Sequence, residues 1–577
     1  MRHVLLGLVL VSSVFAQGTP VADRVAKQNA LFEESYQNFL KNFPERATAF
    51  GDYRYNDKLG EVSLADLARQ HAQGDDFLAR LKAIPTDGMS DQDLLSHRIM
   101  QHQLEREDVN YELKNFEMPV NQQNGVHTRL ADLPNAVPFD SVPHYQDYIS
   151  RLHQIPRVLE QTTEVMKQGE KDGLMPPKFL LEKLPGQCDG IIKANPFLEP
   201  TKKFPKEFSD ADKKRLTDEI TKAINDDVLP AYKKFADFIR SEYAPKGRTT
   251  LSVESLADGK RRYAEAVKTM TTTNVPPAEV HETGLKEVAR ITEEMTKLAQ
   301  NNGYKDLASF RDAINKDPKW KPTSEGAILD VYKKYIAQME PKLPELFGLL
   351  PKSPVTVEPI PDFAKAAATH YVQGTPDGKR AGRVVVAVSD PTKRSLVDDE
   401  AVAYHEGVPG HHMQISIAQT LEGLPKFRLH GFYPAYAEGW ALYSEELGKE
   451  IGFYKDPVSD YGRLSSEMLR AVRLVVDTGI HDKNWSREQV VDYMHSNDLN
   501  DTMVQTEADR YIAWPGQALA YKMGQLTILK LRDEAKTQLG DKFDIKKFHD
   551  EILNGGAMPL ELLQARVEAW IAAQSKS

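Results

Sequence analysis

The nine residues 404–412, Tyr-His-Glu-Gly-Val-Pro-Gly-His-His, constrain the fold of this chain more than any other stretch. The surrounding sequence is typical of a helix, but Pro409 has no amide proton, and its ring clashes with the carbonyl group four residues back, that of His405. Gly410 lets the backbone bend further. The stretch therefore predicts an interrupted helix with a His-Glu pair before the interruption and two histidines directly after it.

The spacing of these histidines decides which of them can share a metal ion with His405. In an undistorted helix His411 lies about 120° around the axis from His405, and His412 lies on nearly the same face but about 10.5 Å along the axis. Two imidazole nitrogens that bind one zinc ion must each lie about 2.0–2.1 Å from it. We therefore expect Pro409-Gly410 to bulge out of the helix and place His411 as the ligand, with His412 as the alternative.

A third metal ligand is predicted at Glu438, at the head of a helical run over residues 438–449. An acidic residue that enters an apolar helix face needs a partner, and zinc is one. Two imidazoles and a carboxylate leave a fourth zinc position open for water, whose proton Glu406 accepts. Glu445 and Glu446 are alternative ligands, which we expect to be solvated instead.

Composition excludes several classes of protein. The net charge of −10, without a long Lys/Arg run, argues against a nucleic-acid partner. Cys188 is the single cysteine, so neither an intrachain disulfide nor a thiolate metal cluster can form. We predict one large helical domain over residues 17–577, with a helical N-terminal part over about 20–370 and a metal-site part over about 371–577.

The first sixteen residues are predicted to be a signal peptide. Arg2 and His3 give a positive start, an apolar run follows, and Val14-Phe15-Ala16 satisfies the small-residue rule for cleavage after Ala16. We expect an exported protein, periplasmic or secreted, without a membrane segment after cleavage. A retained N-terminal anchor is the alternative.

The predicted fold class is mainly α, with a small β element beside the metal helix. Ser209 is expected to cap a helix that continues to Tyr243 with a kink at Pro230, and further helices are expected near 276–298 and 325–339. The β-branched run 384–388 predicts a strand. As an edge strand it would align an extended peptide by backbone hydrogen bonds, and a structural hairpin is the alternative.

Residues 405–411, His-Glu-x-x-Pro-Gly-His, and residues 438–443, Glu-Gly-Trp-Ala-Leu-Tyr, resemble the bacterial "domain of unknown function 885" family. That family is grouped with the gluzincins, metallopeptidases whose third zinc ligand is a glutamate. The resemblance covers most of the chain and includes three further elements, residues 377–382, 473–481 and 510–522. It implies a large helical metallopeptidase-like body with one zinc ion held by His405, His411 and Glu438, and with Glu406 as general base.

Arg473, Asp477 and His481 are spaced four residues apart, which predicts that they stack on one helix face. An aspartate that orients an imidazole fixes its tautomer and supports its positive charge. We therefore predict that His481 contributes to catalysis by a hydrogen bond to the tetrahedral intermediate or to a neighbour of a zinc ligand. The alternative is an ion-pair ladder on the surface.

Residues 510–522 supply the remaining candidate side chains. Tyr521 shares a helix face with Gln517, and its hydroxyl is predicted to polarise the scissile carbonyl group. Arg510 or Lys522 is expected to bind a substrate carboxylate, Arg510 by a two-pronged contact. The predicted substrate-binding residues are therefore Arg510, Tyr511, Gln517 and Lys522. Ordinary helix packing with solvated charges is the alternative.

These features together predict an exported zinc peptidase that hydrolyses short peptides near the C-terminus. A zinc-dependent amidase or esterase on a non-peptide acyl compound is the second hypothesis. The third is a binding protein without activity, against which the complete ligand set and the intact Glu406 argue.

Overall fold

The computed structural model of the protein describes residues 19–360, 368–376, 378 and 380–576. The described chain is mainly α-helical with one small sheet, which confirms the predicted fold class. No helix within these ranges is long and apolar enough to cross a membrane. The predicted signal peptide, residues 1–16, lies outside the described residues.

Within the described residues, sixteen α-helices precede the sheet. Their bounds are α1 Val21–Asn42, α2 Pro44–Ala49, α3 Leu64–Lys82, α4 Asp91–Glu112, α5 Val126–Ala131, α6 Leu133–Ala136, α7 Val142–Lys171, α8 Lys178–Leu181, α9 Leu184–Ala194, α10 Asp210–Ala223, α11 Leu229–Phe238, α12 Gly259–Thr271, α13 Pro277–Asn301, α14 Leu307–Lys316, α15 Glu325–Met339 and α16 Leu343–Leu346.

Local signals predicted several of these helices. The Ser209 side chain accepts a hydrogen bond from the Asp212 amide at 3.0 Å and so caps α10. The helical run continues through α11 to Tyr243, and π-helical turns at Ile224–Val228 and Ile239–Tyr243 interrupt its regular geometry. The first of these turns lies just before Pro230, where a kink was predicted. The helix predicted over 325–339 is α15.

The sheet and ten further helices form the rest of the described chain. Their bounds are β1 Val355–Pro359, β2 His370–Val372, β3 Gly382–Val386, α17 Asp399–Glu406, α18 His411–Gln419, α19 Lys426–Leu429, α20 Pro434–Glu450, α21 Pro457–His481, α22 Arg487–Ser496, α23 Asp501–Ala513, α24 Ala520–Leu539, α25 Ile545–Leu553 and α26 Leu560–Lys576.

The predicted strand forms as β3, but it is not an edge strand. The strand order is β1-β3-β2, with β1 parallel and β2 antiparallel to β3. Both sides of β3 are therefore paired, and the prediction that it aligns a peptide by free backbone groups is wrong. Its Val384 and Val386 belong to the same buried cluster as Tyr404 and Met413, so the sheet packs against the interrupted helix.

Two helix pairs position the rest of the site. Helix α21 packs along α13, and α20 packs along α24. In the second pair, Gly439 and Gly524 face each other so closely that a Cβ atom on Gly439 would lie 2.4 Å from the Gly524 Cα. Glycine at these positions lets the α20 and α24 backbones meet, which brings Glu438 and Tyr521 to the same region.

Candidate metal centre

The interruption at Pro409 is a complete break between two helices. Helix α17 ends at Glu406, α18 begins at His411, and the turn between them contains a cis Val408–Pro409 peptide bond. The Gly410 amide donates to the Tyr404 carbonyl at 3.0 Å and so folds the turn back onto α17. The predicted bulge within one continuous helix is thus replaced by a helix that stops and restarts.

The break nevertheless returns His411 to His405. The two imidazole rings lie 4.9 Å apart between centroids and are perpendicular. A Cβ atom on Gly410 would lie 2.0 Å from the His405 carbonyl oxygen and 2.4 Å from that of Tyr404. Only glycine fits where these backbone segments meet.

Replacing Gly410 with alanine is therefore expected to destabilise the fold by about 1–3 kcal/mol or more, because the backbone atoms that the new methyl group meets cannot move aside independently. The variant should also bind zinc more weakly than the wild type. Urea unfolding and zinc titration measure the two effects. Gly186→Ala in α9 is the control, since a Cβ atom there meets nothing within 4 Å; an equal effect of both variants would contradict this account.

His405, His411 and Glu438 form the candidate metal site. Each offers one ligand atom, and these atoms all lie within 4.8 Å of one another. Glu438 Oε2 lies 3.4 Å from His405 Nε2 and 3.3 Å from His411 Nε2. Tetrahedral zinc with bonds of about 2.0–2.1 Å places its ligand atoms about 3.3–3.4 Å apart. The donor types and both measured spacings therefore fit a zinc ion.

Electrostatics inside this cluster favour a bound cation. Burial alone raises the pKa of Glu438, but the hydrogen bonds from His405 and His411 outweigh it and hold the pKa well below the usual range. Burial lowers the pKa of His405, whereas Glu438 and Glu445 raise it more strongly, to about 9. A proton is thus held where two imidazoles and a carboxylate converge, and a metal cation replaces such protons when it binds.

His412, the alternative ligand, faces away from this cluster. Its Nδ1 lies 3.1 Å from the Tyr371 hydroxyl, and its Nε2 donates to the Ser353 carbonyl at 3.0 Å. Both ring nitrogens are therefore in use, and burial lowers the pKa of His412 to about 4. The structure brings His411, and not His412, to Glu438.

Glu445 is buried, so the prediction that it is solvated is wrong. Its Oε1 lies 2.8 Å from His405 Nδ1, so it holds the ring with Nε2 turned toward Glu438. Carboxylates commonly orient metal-binding histidines in this way. A sequence signal for this role was present, because Glu445 follows Glu438 by seven residues, two helical turns along the same face of α20.

The Glu445→Gln variant is expected to bind zinc about 10–100-fold more weakly, because the amide orients His405 less firmly and does not raise its basicity. Competition with a chelator of known affinity measures the dissociation constant. Glu446→Gln, on the same helix but without a contact to His405 among the described residues, is the matched control. Equal affinity of the two variants would show that Glu445 has no part in holding the ligand.

Glu406, the predicted general base, ends α17 beside the metal ligands. It is 8% exposed and forms neither a hydrogen bond nor a salt bridge with another described residue. Buried polar groups normally have a partner, so this carboxylate is available to a water molecule or a substrate.

Tyr521 lies near His405, and Gln517 and Arg510 lie near Tyr521. The Tyr521 ring stacks near the His405 ring at 6.5 Å between centroids, and the Arg510 Nη2 donates to Gln517 Oε1 at 2.8 Å. Burial and the nearby Glu438 raise the pKa of Tyr521, whereas Arg510, Arg473 and Gln517 lower it. The structure thus gathers three of the predicted side chains next to the candidate metal site.

Arg473, Asp477 and His481 lie four residues apart on α21, as predicted, but among the described residues they bind partners from other segments and not one another. Arg473 binds Glu507, while Asp477 accepts hydrogen bonds from the Tyr263 hydroxyl at 2.7 Å and the Gly516 amide at 3.1 Å. His481 is fully buried; its Nδ1 accepts from the Val253 amide at 3.1 Å and its Nε2 donates to the Tyr511 carbonyl at 3.0 Å. His481 therefore joins segments of the core, and the prediction of a catalytic hydrogen bond does not fit.

The structure also argues against Lys522 and Tyr511 as substrate-binding residues. Lys522 is fully buried, with its Nζ 2.6 Å from Glu467 and 2.8 Å from Glu287. Tyr511 is fully buried too, and its hydroxyl donates to Glu507. Spacing on a helix does not reveal which face the core covers, and here the core covers both side chains.

The fold and the site together define a helical protein with a His/His/Glu cluster at a broken helix. The model of the family described as "Bacterial protein of unknown function (DUF885)" matches residues 44–567, and the chain belongs to this family.

Similar solved structures include the following two. One is a candidate lipoprotein from Colwellia psychrerythraea, with 28% sequence identity and a TM-score of 0.90 over 96% of this chain and 100% of that one. The other is a candidate lipoprotein of unknown function from Shewanella oneidensis, with 17% identity and a TM-score of 0.70 over 95% and 99%. At 17% identity, the structure from Shewanella oneidensis is evidence for a shared fold only. None of the curated proteins matches this chain.

Proposed function

We propose that this protein is a zinc-dependent hydrolase that cleaves peptide bonds in short peptides. The observation that carries the proposal is the convergence of His405, His411 and Glu438 on one point, next to the unpartnered carboxylate of Glu406. The orientation of His405 by Glu445 adds support, since it is typical of sites that hold a metal.

Zinc, when bound by His405, His411 and Glu438, supplies a Lewis acid that polarises the scissile carbonyl group and acidifies water. Glu406 accepts the proton of the attacking water and returns it to the leaving amine. The Tyr521 hydroxyl donates a hydrogen bond to the carbonyl oxygen as negative charge develops on it. The role of Tyr521 is supported by its position beside the His405 ring.

Arg510 is the candidate in this cluster for binding a polar group of the substrate. Its side chain is 19% exposed and is held by Gln517 and Glu507. Because Glu507 balances part of its charge, Arg510 suits a neutral carbonyl group of the peptide backbone better than a second carboxylate.

We also propose that the protein is exported. The apolar run within residues 1–16 supports this, as does the similarity to structures described as candidate lipoproteins. We do not propose a lipid anchor for this chain, because the single cysteine, Cys188, is buried in α9.

The test is hydrolysis of a library of short fluorogenic peptides by purified protein, alongside a library of acyl amides and esters. We expect peptide hydrolysis that stops when a chelator removes the metal and returns when zinc is added. Hydrolysis that is insensitive to chelation, or confined to the amide and ester library, would overturn the proposal.

A further inference from the structure

A cavity of about 340 Å³ lies between α4, α12 and the segment after α23. We call it the arginine pocket and define it by six of its lining residues, Arg106, Asn110, Arg248, Arg262, Trp514 and Pro515. It is separate from the metal ligands, and neither the family description nor the similar structures assign it a role.

The positive charge of this pocket is balanced only in part by the described residues: burial lowers the pKa of Arg262, and Asp258 and Glu117 lie close enough to raise it. Its three arginines face a single acidic lining residue, Glu265, and none of the three forms a salt bridge with a residue in the described ranges. Arg248 is held instead by backbone carbonyl groups, including that of Leu251 at 2.8 Å. In a chain with a net charge of −10, such a concentration of unpaired arginines favours an anionic ligand.

Arg262 shows that a donor is left free in the pocket. The residue is only 6% exposed; its Nε donates to the Ala257 carbonyl at 2.6 Å and its Nη1 to Asn115 Oδ1 at 2.9 Å. Its Nη2 has no hydrogen-bond partner among the described residues. Arg106 has neither a hydrogen bond nor a salt bridge within the same part of the chain. The Arg262 Nη2 and the Arg106 guanidinium are therefore able to donate hydrogen bonds to a ligand in the pocket.

The remaining lining is mostly apolar, which defines the rest of the ligand. Trp514, 38% exposed, and Pro515 form one wall, and Met270 and Leu180 contribute to others. A small hydrated inorganic anion does not match this surface. A carboxylate attached to an apolar body does, because guanidinium groups bind the carboxylate while the ring of Trp514 covers the apolar part.

One helix, α12, lines the pocket and also packs against the helices of the candidate metal centre. Helix α12 packs against both α20, which carries Glu438, and α24, which carries Tyr521. Trp514 and Pro515 connect Arg510 to Gln517 in the chain. The pocket is thus connected to the candidate metal centre through α12 and through the segment 510–517.

A second, aromatic cavity of about 750 Å³ adjoins the pocket. The two share Arg106 and Asn110 of α4, and the aromatic cavity is also lined by Ile415, one turn after His411, and by Tyr433, directly before α20. The two cavities therefore meet at α4, and the aromatic cavity extends to the segments that carry His411 and Glu438, as expected for an extended cleft that holds a chain-like substrate.

We infer that the arginine pocket binds the free C-terminal carboxylate of the peptide substrate, with Arg106 and Arg262 as its ligands for that group. The identification of the anion as a peptide terminus rests on the proposed function. The site would then prefer peptides that end near the bond to be cleaved.

The test uses the full-length Glu406→Gln protein, in which binding is measured without turnover. Isothermal titration calorimetry compares acetyl-Ala-Ala-Phe, which has a free carboxylate, with the same peptide as its C-terminal amide. We expect the acid to bind at least about ten-fold more tightly than the amide, the effect of charged hydrogen bonds. Adding Arg106→Met should abolish this preference, and the fold should persist because Arg106 forms no hydrogen bond with the described chain.

Arg261→Met is the matched control. Arg261 neighbours Arg262 on α12, but it is exposed and pairs with Glu112 outside the pocket. Adding this change should leave the acid preference unaltered. Acid and amide that bind equally, or a preference that survives both Arg106→Met and Arg262→Met, would overturn the inference. This test is independent of the test of the proposed function. A protein that prefers the acid but shows no zinc-dependent hydrolysis would contradict the proposed peptidase activity and still support an anion-binding site in the pocket.

Discussion

The Glu406→Gln variant is expected to retain zinc and to lose about 10²–10⁴-fold in kcat, the usual contribution of a general base. The amide has nearly the shape of the carboxylate, but it cannot accept the proton of the attacking water. Glu406 is not among the three metal ligands, so their donor set stays complete. Zinc content and peptide hydrolysis, measured on the same preparation, separate the two effects.

Glu422→Gln is the control for this experiment. Glu422 is exposed in the turn after α18 and belongs to the same segment of sequence, so its replacement should change neither zinc content nor kcat. Full activity in Glu406→Gln would show that a different group accepts the proton. Loss of zinc from the same variant would instead make Glu406 a ligand.

His411→Ala is expected to lose its zinc under conditions that saturate the wild type, whereas His412→Ala should keep it. His411 points its Nε2 at Glu438, and removing the imidazole leaves two protein ligands where a catalytic zinc site needs three. His412 instead joins Tyr371 and Ser353. Its replacement should cost about 1–3 kcal/mol of unfolding free energy through buried groups left without a partner.

The neighbouring histidines make this pair of variants its own control, because both side chains are buried and each substitution removes one imidazole. Elemental analysis gives the zinc content, and urea unfolding gives the stability of each variant. Zinc loss from His412→Ala together with zinc retention in His411→Ala would contradict the arrangement described here.

Local signals in the sequence predicted a good part of this molecule. The Ser209 cap, the α15 span and the interruption at Pro409 all depend on residues near one another in the chain, and the structure contains each of them. The proposed ligand pair also followed from local geometry, since a break after Glu406 is needed to return His411 to His405. How the break occurs depends on where Gly410 packs, and the sequence predicted a bulge instead of two helices.

Burial set by distant segments could not be predicted in the same way. Helix α21 is buried along almost its whole length, so Asp477 and His481 bond to Tyr263 and Val253 from other segments instead of to each other. Lys522 likewise meets Glu287 and Glu467 from α13 and α21. The i+4 rule describes neighbours on one helix, and these partners come from elsewhere in the chain.

The arginine pocket illustrates the same limit for function. Arg106 and Arg262 are far from Trp514 in sequence and lie outside the family elements 377–382, 473–481 and 510–522, yet all three line one cavity. Their unpaired charge becomes visible only when the partners of every nearby side chain are known.

The zinc content of the purified full-length protein, measured by elemental analysis after exposure to excess zinc and removal of the unbound metal, tests the central claim most directly. The convergence of His405, His411 and Glu438 predicts one zinc ion per chain. A folded protein that remains free of zinc under these conditions would contradict it.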